Sequence, residues 1–363
     1  MSPAAESDAV AASPTAREAE AFLDLDALEA EARALLEPGF YDYVAGGAEV
    51  EATLADNRAA WERIRLRPRM LRDVTQVSTR ARWLGAEAAS PIGVAPMAMQ
   101  HAAHADGALA TARGAALAGA PMVMGVFGSS SAVEVGRVAS AAPRWLQVYV
   151  LRDRAATDRV VERALAEGYR ALVLTVDVAR QGDRRRDRRN RWVFDSRSDG
   201  EVADPSEIFD AGLVFEDIAR FRARFGVPVI VKGILRGDDA LACVEAGAAG
   251  VIVSNHGGRQ LDGALASADA LPEVVAALGS RAEVYVDGGI CRGSHALRAL
   301  ALGARGVLVG RPVMWGLATG GAAGVARVLG GLRSELERAM ALCGARSLDE
   351  LDASLALPSP TAG

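Results

Sequence analysis

Pro228-Val229-Ile230-Val231-Lys232-Gly233-Ile234, an Ala-rich segment over 240–247, and then Gly250-Val251-Ile252-Val253-Ser254-Asn255 form the stretch that decides the fold. The two outer runs are apolar continuously rather than alternately, which suits parallel strands buried on both faces. The segment between them has helical spacing and ends in glycine, where a left-handed cap costs little. Strand, helix and strand together make one βα repeat.

The same unit recurs outward from this point. Apolar runs lie at 91–98, 121–127, 145–150, 171–178, 228–234, 250–255, 283–290 and 306–310, each followed by a longer, often Ala-rich segment. Eight units predict an α/β protein built as a closed (β/α)8 TIM barrel. An open doubly wound sheet is the alternative, but it usually has fewer strands and a Gly-rich first turn, and no GxGxxG follows the first run. Ser129, Ser130 and Ser131 precede a short helical stretch at 132–138 and are suited to capping it.

One connection is longer than the rest. The insert at 179–227 opens with Arg180-Gln181-Gly182-Asp183-Arg184-Arg185-Arg186-Asp187-Arg188-Arg189-Asn190-Arg191, turns polar and acidic, and ends in a helical stretch at 215–225. A long loop after strand four, at the C-terminal face, is a natural lid, expected over about 179–212. Before the barrel, 25–37 and 49–63 read as amphipathic helices with Pro38-Gly39 as a break. They are expected to close the barrel's bottom or bring residues to its rim. The barrel domain is expected to span 22–355, with a disordered tail at 1–21 and a flexible one at 356–363.

Composition excludes several classes. The 363 residues are 50% hydrophobic and 24% charged, with a net charge of -5, which gives no reason to expect nucleic-acid or anionic-membrane binding. The arginine cluster at 180–191 is interleaved with acids, which argues against a nucleic-acid role. No apolar stretch of about 20 residues suggests a membrane span. The N-terminal segment lacks the basic start and apolar core of a signal peptide. Cys243, Cys291 and Cys343 are odd in number and widely spaced, which argues against disulfides and zinc and fits a reducing cytoplasm. Among 41 Lys plus Arg, Lys232 is the one lysine.

In such barrels the strands' C-terminal ends converge on the active site. Here those ends read Pro96-Met97-Ala98, Phe127-Gly128-Ser129, Gln147 with Tyr149, Thr175 with Asp177, Lys232-Gly233, Ser254-Asn255-His256-Gly257-Gly258-Arg259, Asp287-Gly288-Gly289 and Gly310-Arg311. His256, between a buried strand and two glycines, is a candidate general base, the bland alternative being a loop-capping histidine. Arg259 could grip a carboxylate in a bidentate fork. The glycines after strands seven and eight, with Arg311, lie where barrels often hold a phosphate. Lys232 could be a Schiff-base nucleophile, a phosphate ligand, a charge beside a cofactor, or half of a buried ion pair with Asp177 or Asp287.

With Tyr41-Asp42-Tyr43-Val44-Ala45-Gly46-Gly47-Ala48-Glu49, Arg67-Pro68-Arg69, Leu174-Thr175-Val176-Asp177, Val231-Lys232-Gly233, Ser254-Asn255-His256-Gly257-Gly258-Arg259-Gln260-Leu261-Asp262 and Gly310-Arg311-Pro312, the chain resembles the FMN-dependent 2-hydroxy-acid oxidases and dehydrogenases. Glycolate oxidase, lactate oxidase and mandelate dehydrogenase belong to that family. In detail the chain is similar to the 4-hydroxymandelate oxidases of actinobacteria. The resemblance implies bound FMN, His256 as base with Asp177 behind it, and Arg184 and Arg259 on the substrate carboxylate. Tyr43 and Tyr149 would bond the substrate's oxygens. Pro96, Met97, Ala98, Gly125, Gln147, Thr175, Lys232, Ser254, Asp287, Gly288, Gly289, Gly310 and Arg311 would hold the cofactor.

The resemblance also implies a homo-oligomer, a tetramer, and oxidation of an (S)-2-hydroxy acid to the 2-oxo acid with O2 giving H2O2. Met97 and Phe127 at the expected pocket wall favour an apolar or aromatic, mandelate-like substrate. A dehydrogenase using a quinone or protein acceptor, an oxidative decarboxylase and a noncatalytic flavin-binding protein are the alternatives. Two departures stand out. Many members carry arginine where this chain has Cys291, so a phosphate or ring contact is expected to be lost or supplied by Arg292 or Arg311. Gly125 replaces a frequent serine and is expected to leave room at the cofactor.

Overall fold

The computed structural model describes residues 23–358 except 128, 129, 131, 139 and 193–208. Every expected run contains a strand: β1 (Ile92–Val94), β2 (Met122–Gly125), β3 (Arg144–Val148), β4 (Leu172–Thr175), β5 (Val229–Ile234), β6 (Gly250–Val253), β7 (Glu283–Val286) and β8 (Gly306–Val309). Each pairs in parallel with the next, and β8 returns to β1 with Val307 opposite Ile92 and Val309 opposite Val94. The fold is a closed (β/α)8 barrel. β2, β4, β6 and β8 are buried at every position, which is why the runs are uniformly apolar.

The barrel interior is packed rather than hollow. Val123, Trp145, Val173, Ile230, Ile252, Tyr285 and Leu308 form a cluster with Trp83. Trp83 comes from a hairpin of Ala81–Trp83 and Ala86–Ala88, whose turn residues Leu84 and Gly85 both have positive φ. Its indole stacks on Tyr285 at 4.7 Å and tilts against Trp145 at 5.3 Å. This hairpin, and not the N-terminal helices, plugs the bottom.

Three helices precede the barrel: α1 (Leu25–Leu35), α2 (Pro38–Ala45) and α3 (Ala52–Arg63). The Pro38-Gly39 pair, expected to be a break, begins α2. Proline is tolerated in a first helical turn, and the Glu37 carboxylate accepts from the Gly39 and Phe40 N–H groups at 2.9 and 2.8 Å. α3 is pinned over the ends of β6 and β7. Asn57 and Asn255 exchange amide hydrogen bonds at 2.8 and 2.7 Å, and the Trp61 indole donates to the Gly288 carbonyl at 2.8 Å. Of the two expected placements, these helices take the rim.

The insert after β4 clasps α2. Arg186 pairs with Asp42 at 3.3 Å and Glu51 at 2.5 Å, and Asn190 donates to Asp42 at 2.7 Å. Of the expected lid at 179–212, residues 193–208 lie outside the described residues. Past that segment the chain is strapped back onto the barrel. Phe209 bridges to Leu151, and the Asp210 N–H donates to the Val150 carbonyl at 2.8 Å. Arg154 holds Asp210 and the buried Asp217.

The final helix, Arg311–Leu342, kinks at Gly320 and Gly321, and its halves meet so closely that a Cβ on Gly324 would lie 1.9 Å from the Gly316 carbonyl oxygen. The expected C-terminal tail starts too early at 356. Ala356–Pro358 forms a strand antiparallel to Ile64–Leu66, where its backbone groups find ladder partners. The expected N-terminal tail, Ser129, Ser131 and residues 359–363 lie outside the described residues.

Candidate active site

A cavity of about 460 Å³ opens at the C-terminal ends of the strands. Pro96, Met97, Ala98, Gly125, Gln147, Thr175, Lys232, Asp287, Gly288, Gly289, Gly310 and Arg311 line it, and so do Tyr43, Tyr149, Arg184, His256 and Arg259. Asp177 and Ser254 do not. Asp177 stands behind His256, with Oδ1 3.0 Å from Nδ1. Ser254, expected to touch the cofactor, is fully buried; its hydroxyl accepts from Lys232 Nζ at 2.9 Å and from the His256 N–H at 3.1 Å. It is placed to position Lys232 and His256.

Local backbone geometry aims these groups. β5 shifts register against β6 between Lys232 and Ile234, and Gly233, at φ 111°, lies where a Cβ would be 2.7 Å from Asp177 Cβ. A bulge at a strand end re-aims its side chains, and the glycine lets the Asp177 loop pass. His256 adopts φ 58°, unusual for a residue with a Cβ, and Gly257 and Gly258 continue in the left-handed region. Gly258 is small for Leu54 of α3, which a Cβ would meet at 2.7 Å, while Gly257 lines the cavity.

Lys232 forms one of the expected buried ion pairs, its ammonium 3.2 Å from the Asp287 carboxylate, and it also lines the cavity. The pair is nearly buried, so neither charge is compensated by bulk water. Asp287 Oδ1 remains buried without a hydrogen-bond donor among the described residues.

His256 and Asp177 form a hydrogen-bonded imidazole–carboxylate pair. Burial, joined by the Lys232 charge, holds the imidazole below its ordinary pKa despite the Asp177 carboxylate. Burial would raise Asp177, but His256 and Lys232 outweigh it and hold the carboxyl below its ordinary value. At neutral pH the pair is a neutral imidazole against a carboxylate. Nδ1–H faces Asp177, leaving Nε2 able to accept a proton.

Two guanidiniums gather beside this base. Arg259 lies 4.6 Å and Arg184 5.9 Å from the Tyr43 ring centroid. Burial, then repulsion from Arg184, pushes Arg259 down to about 9. Like charges held together and desolvated in this way favour an anion between them. Arg259 also donates to the Tyr43 and Gly46 carbonyls, tying the end of α2 to the loop after β6. An aromatic wall completes the chamber: Tyr149 stacks on Phe127 at 5.7 Å and lies 4.7 Å from Phe209. The Tyr149 phenol is raised, first by burial and then by Asp177.

Some members of this chamber escaped the sequence reading. Phe209 gave no signal beyond being an aromatic residue in an acidic insert. Trp192, stacked on Tyr43 at 4.2 Å, closes the arginine-rich loop over α2. Arg58 lines the cavity from α3, its Nη2 3.1 Å from Asp26. The two arginines expected to stand in at position 291 differ in placement. Arg292 does not line the cavity and sits 4.0 Å from Glu62, while Arg311 commits Nε and Nη2 to the carbonyls of Val44, Gly46 and Gly257. Gly125 lines the cavity, and a Cβ there would meet the Met97 carbonyl oxygen at 2.9 Å.

The fold and site thus define a (β/α)8 barrel in which an imidazole–carboxylate pair, clustered guanidiniums and a glycine-rich loop gather around one cavity. Residues 32–357 match the FMN-dependent dehydrogenase family, and the chain belongs to that family, the FMN-dependent 2-hydroxy-acid oxidases and dehydrogenases. It is 46% identical to an L-lactate oxidase of Nostoc sp. over 86% of this chain and 92% of that one. It is 44% identical to a 4-hydroxymandelate oxidase of Amycolatopsis orientalis over 90% and 96%. A crystal structure of mandelate oxidase superposes with a TM-score of 0.86 at 44% identity, covering 90% of this chain and 96% of that one. The protein is an FMN-dependent oxidoreductase acting on a hydroxy acid.

The residues present fit FMN. Asp287 Oδ1, buried and lacking a donor, suits a hydroxyl of the ribityl chain. Gly288, Gly289 and Ile290 line the cavity, and their N–H groups meet no acceptor among the described residues, as a phosphate-binding loop requires. Lys232 presents a compact cation to the same cavity.

Proposed function

We propose that this protein oxidises an (S)-2-hydroxy acid with an apolar or aromatic side chain to the 2-oxo acid, O2 being reduced to H2O2. One juxtaposition carries the reading: the His256–Asp177 pair, the Arg184 and Arg259 guanidiniums and the wall of Phe127, Tyr149 and Phe209 share one chamber. The relatives' names, L-lactate oxidase and 4-hydroxymandelate oxidase, support an oxidase. A mandelate oxidase solved with benzoyl-formic acid supports the aromatic side chain.

Each residue has a task that follows from its placement. Arg184 and Arg259 hold the carboxylate, which fixes C2 and its hydroxyl relative to His256. Tyr43 and Tyr149 bond the substrate's oxygens. His256 Nε2 removes the hydroxyl proton, and Asp177 stabilises the imidazolium through Nδ1. FMN, when bound, supplies the acceptor for the hydride that leaves C2. Pro96, Met97, Ala98, Gly125, Gln147, Thr175, Lys232, Asp287, Gly288, Gly289, Gly310 and Arg311 seat it, Lys232 adding positive charge beside a cofactor that gains negative charge. Ser254 acts through Lys232.

The reading extends to assembly and location: a homo-oligomer, a tetramer, in the cytoplasm. No helix among the described residues is long and apolar enough to cross a membrane. Anaerobic mixing with (S)-mandelate, (S)-lactate and glycolate tests the substrate assignment. Bleaching of the flavin should be fastest with (S)-mandelate, and air should restore the colour with one H2O2 per oxo acid. No bleaching by any of them refutes the activity, and restoration only by a quinone refutes the oxidase.

A further inference from the structure

We infer that Arg58 is the side chain that grips the terminal phosphate of FMN, and so makes this chain select FMN over its unphosphorylated parent, riboflavin. The inference rests on FMN as the resident cofactor. Among the described residues four arginines line the cavity: Arg58, Arg184, Arg259 and Arg311. Arg184 and Arg259 crowd together at Tyr43 beside the base, and two nitrogens of Arg311 are taken by backbone carbonyls. Arg58 stands apart from them, within electrostatic reach of Cys291.

Its helix is docked on the glycine loop that offers unused N–H groups. A Cβ on Gly289 would lie 2.1 Å from the Asn57 carbonyl oxygen and 2.9 Å from the Arg58 backbone nitrogen, and Trp61 donates to the Gly288 carbonyl. Leu54, Ala55 and Arg58 share one face of α3, and all three line the cavity. The backbone groups of 288–290 can accept an oxyanion by hydrogen bonding but bring no full charge. A dianionic phosphate gains a charge-assisted fork from a guanidinium, and Arg58 is the one placed at this loop.

Among the described residues Arg58 has one partner, Asp26 of α1, and both side chains are at least half exposed. Such a pair is weak and leaves most of the guanidinium's N–H groups available. Asp26 and Glu29 also line the cavity, so the surroundings of the phosphate include carboxylates that oppose it. The balance between Arg58 and these acids sets how firmly the phosphate is held.

The test compares two flavins that differ only in that group. Full-length protein stripped of flavin is titrated with FMN and with riboflavin, following fluorescence quenching, for wild type, Arg58→Ala and Asp26→Asn, with far-UV circular dichroism to confirm folding. Arg58→Ala should weaken FMN roughly tenfold or more and leave riboflavin within about twofold, since only one ligand loses a charge-assisted contact. Asp26→Asn breaks the same ion pair but should hold FMN at least as tightly as wild type. Equal losses for both flavins, unchanged FMN affinity in Arg58→Ala, or an Asp26→Asn variant that copies the Arg58→Ala loss would overturn the assignment, the last by showing that the pair only anchors α1. A wild-type protein that binds no FMN overturns the cofactor reading and this inference with it.

Discussion

Replacing Asp177 by asparagine keeps the shape of the residue behind His256 and removes its charge. Asparagine's carbonyl can still accept from Nδ1–H across the 3.0 Å contact, so the tautomer with Nε2 open survives. What is lost is the difference between a charged and a neutral acceptor for the imidazolium. Hydrogen bonds to charged groups are worth about 1.5–3 kcal/mol, so a loss of about 2 kcal/mol lowers the rate of flavin reduction about 30-fold. The pH profile gives a second readout. In the wild type the imidazole already titrates below its ordinary value of 6.5, so activity should fall with acid only below that pH. Asp177 raises the imidazole, whereas burial and Lys232 lower it; without Asp177 the acid limb moves to still lower pH. Stopped-flow reduction by substrate under anaerobic conditions, from pH 4.5 to 8.5 in steps of about half a unit, separates the two effects. A slower enzyme whose acid limb shifts upward, or an enzyme as fast as wild type, refutes the electrostatic role.

Further predictions address the cofactor seat, the chamber wall and the scaffold. Lys232→Arg keeps the charge but forces a larger planar group into a nearly buried slot between Ser254 and Asp287; flavin content after purification or the anaerobic reduction rate should fall at least about tenfold. Phe209→Ala should raise KM for an aromatic hydroxy acid about tenfold with a smaller effect on glycolate, because it removes apolar wall and leaves the base and the arginines in place. His256→Ala should retain flavin and lose reduction by substrate, and bleaching at the wild-type rate would remove it as the base. Gly324→Ala puts a methyl group against the Gly316 carbonyl and should cost about 1–3 kcal/mol in urea unfolding without changing the spectrum of bound flavin.

The barrel was legible because strands buried on both faces cannot alternate; their uninterrupted apolar runs stand out against amphipathic helices. The runs overshoot the ladders, as 91–98 does around Ile92–Val94, because residues such as Met97 and Ala98 are apolar for the cavity's sake and not for the sheet's. Pro38-Gly39 misled because the same dipeptide serves as a break and as a first helical turn, and only the Glu37 cap distinguishes them. Trp83 was hidden in a three-residue strand of a short hairpin ahead of the barrel, with no periodic run to mark it. In the site, His256, Arg259 and Lys232 were readable from strand ends. Arg58 was not: on the surface of a helix, among 40 arginines in the chain, a cation that faces a cavity is spelled like one that faces water.

The tie between Arg311 and the Val44 carbonyl, 267 residues apart, also orders events in time. The segment bearing Tyr43 leaves the ribosome first and finds Arg259 after β6, but the last arginine that fastens it to the barrel is made only after all eight strands. A chain stopped before Gly310 lacks one side of the cavity, so flavin capture is expected only once the last strand and its helix have joined the barrel.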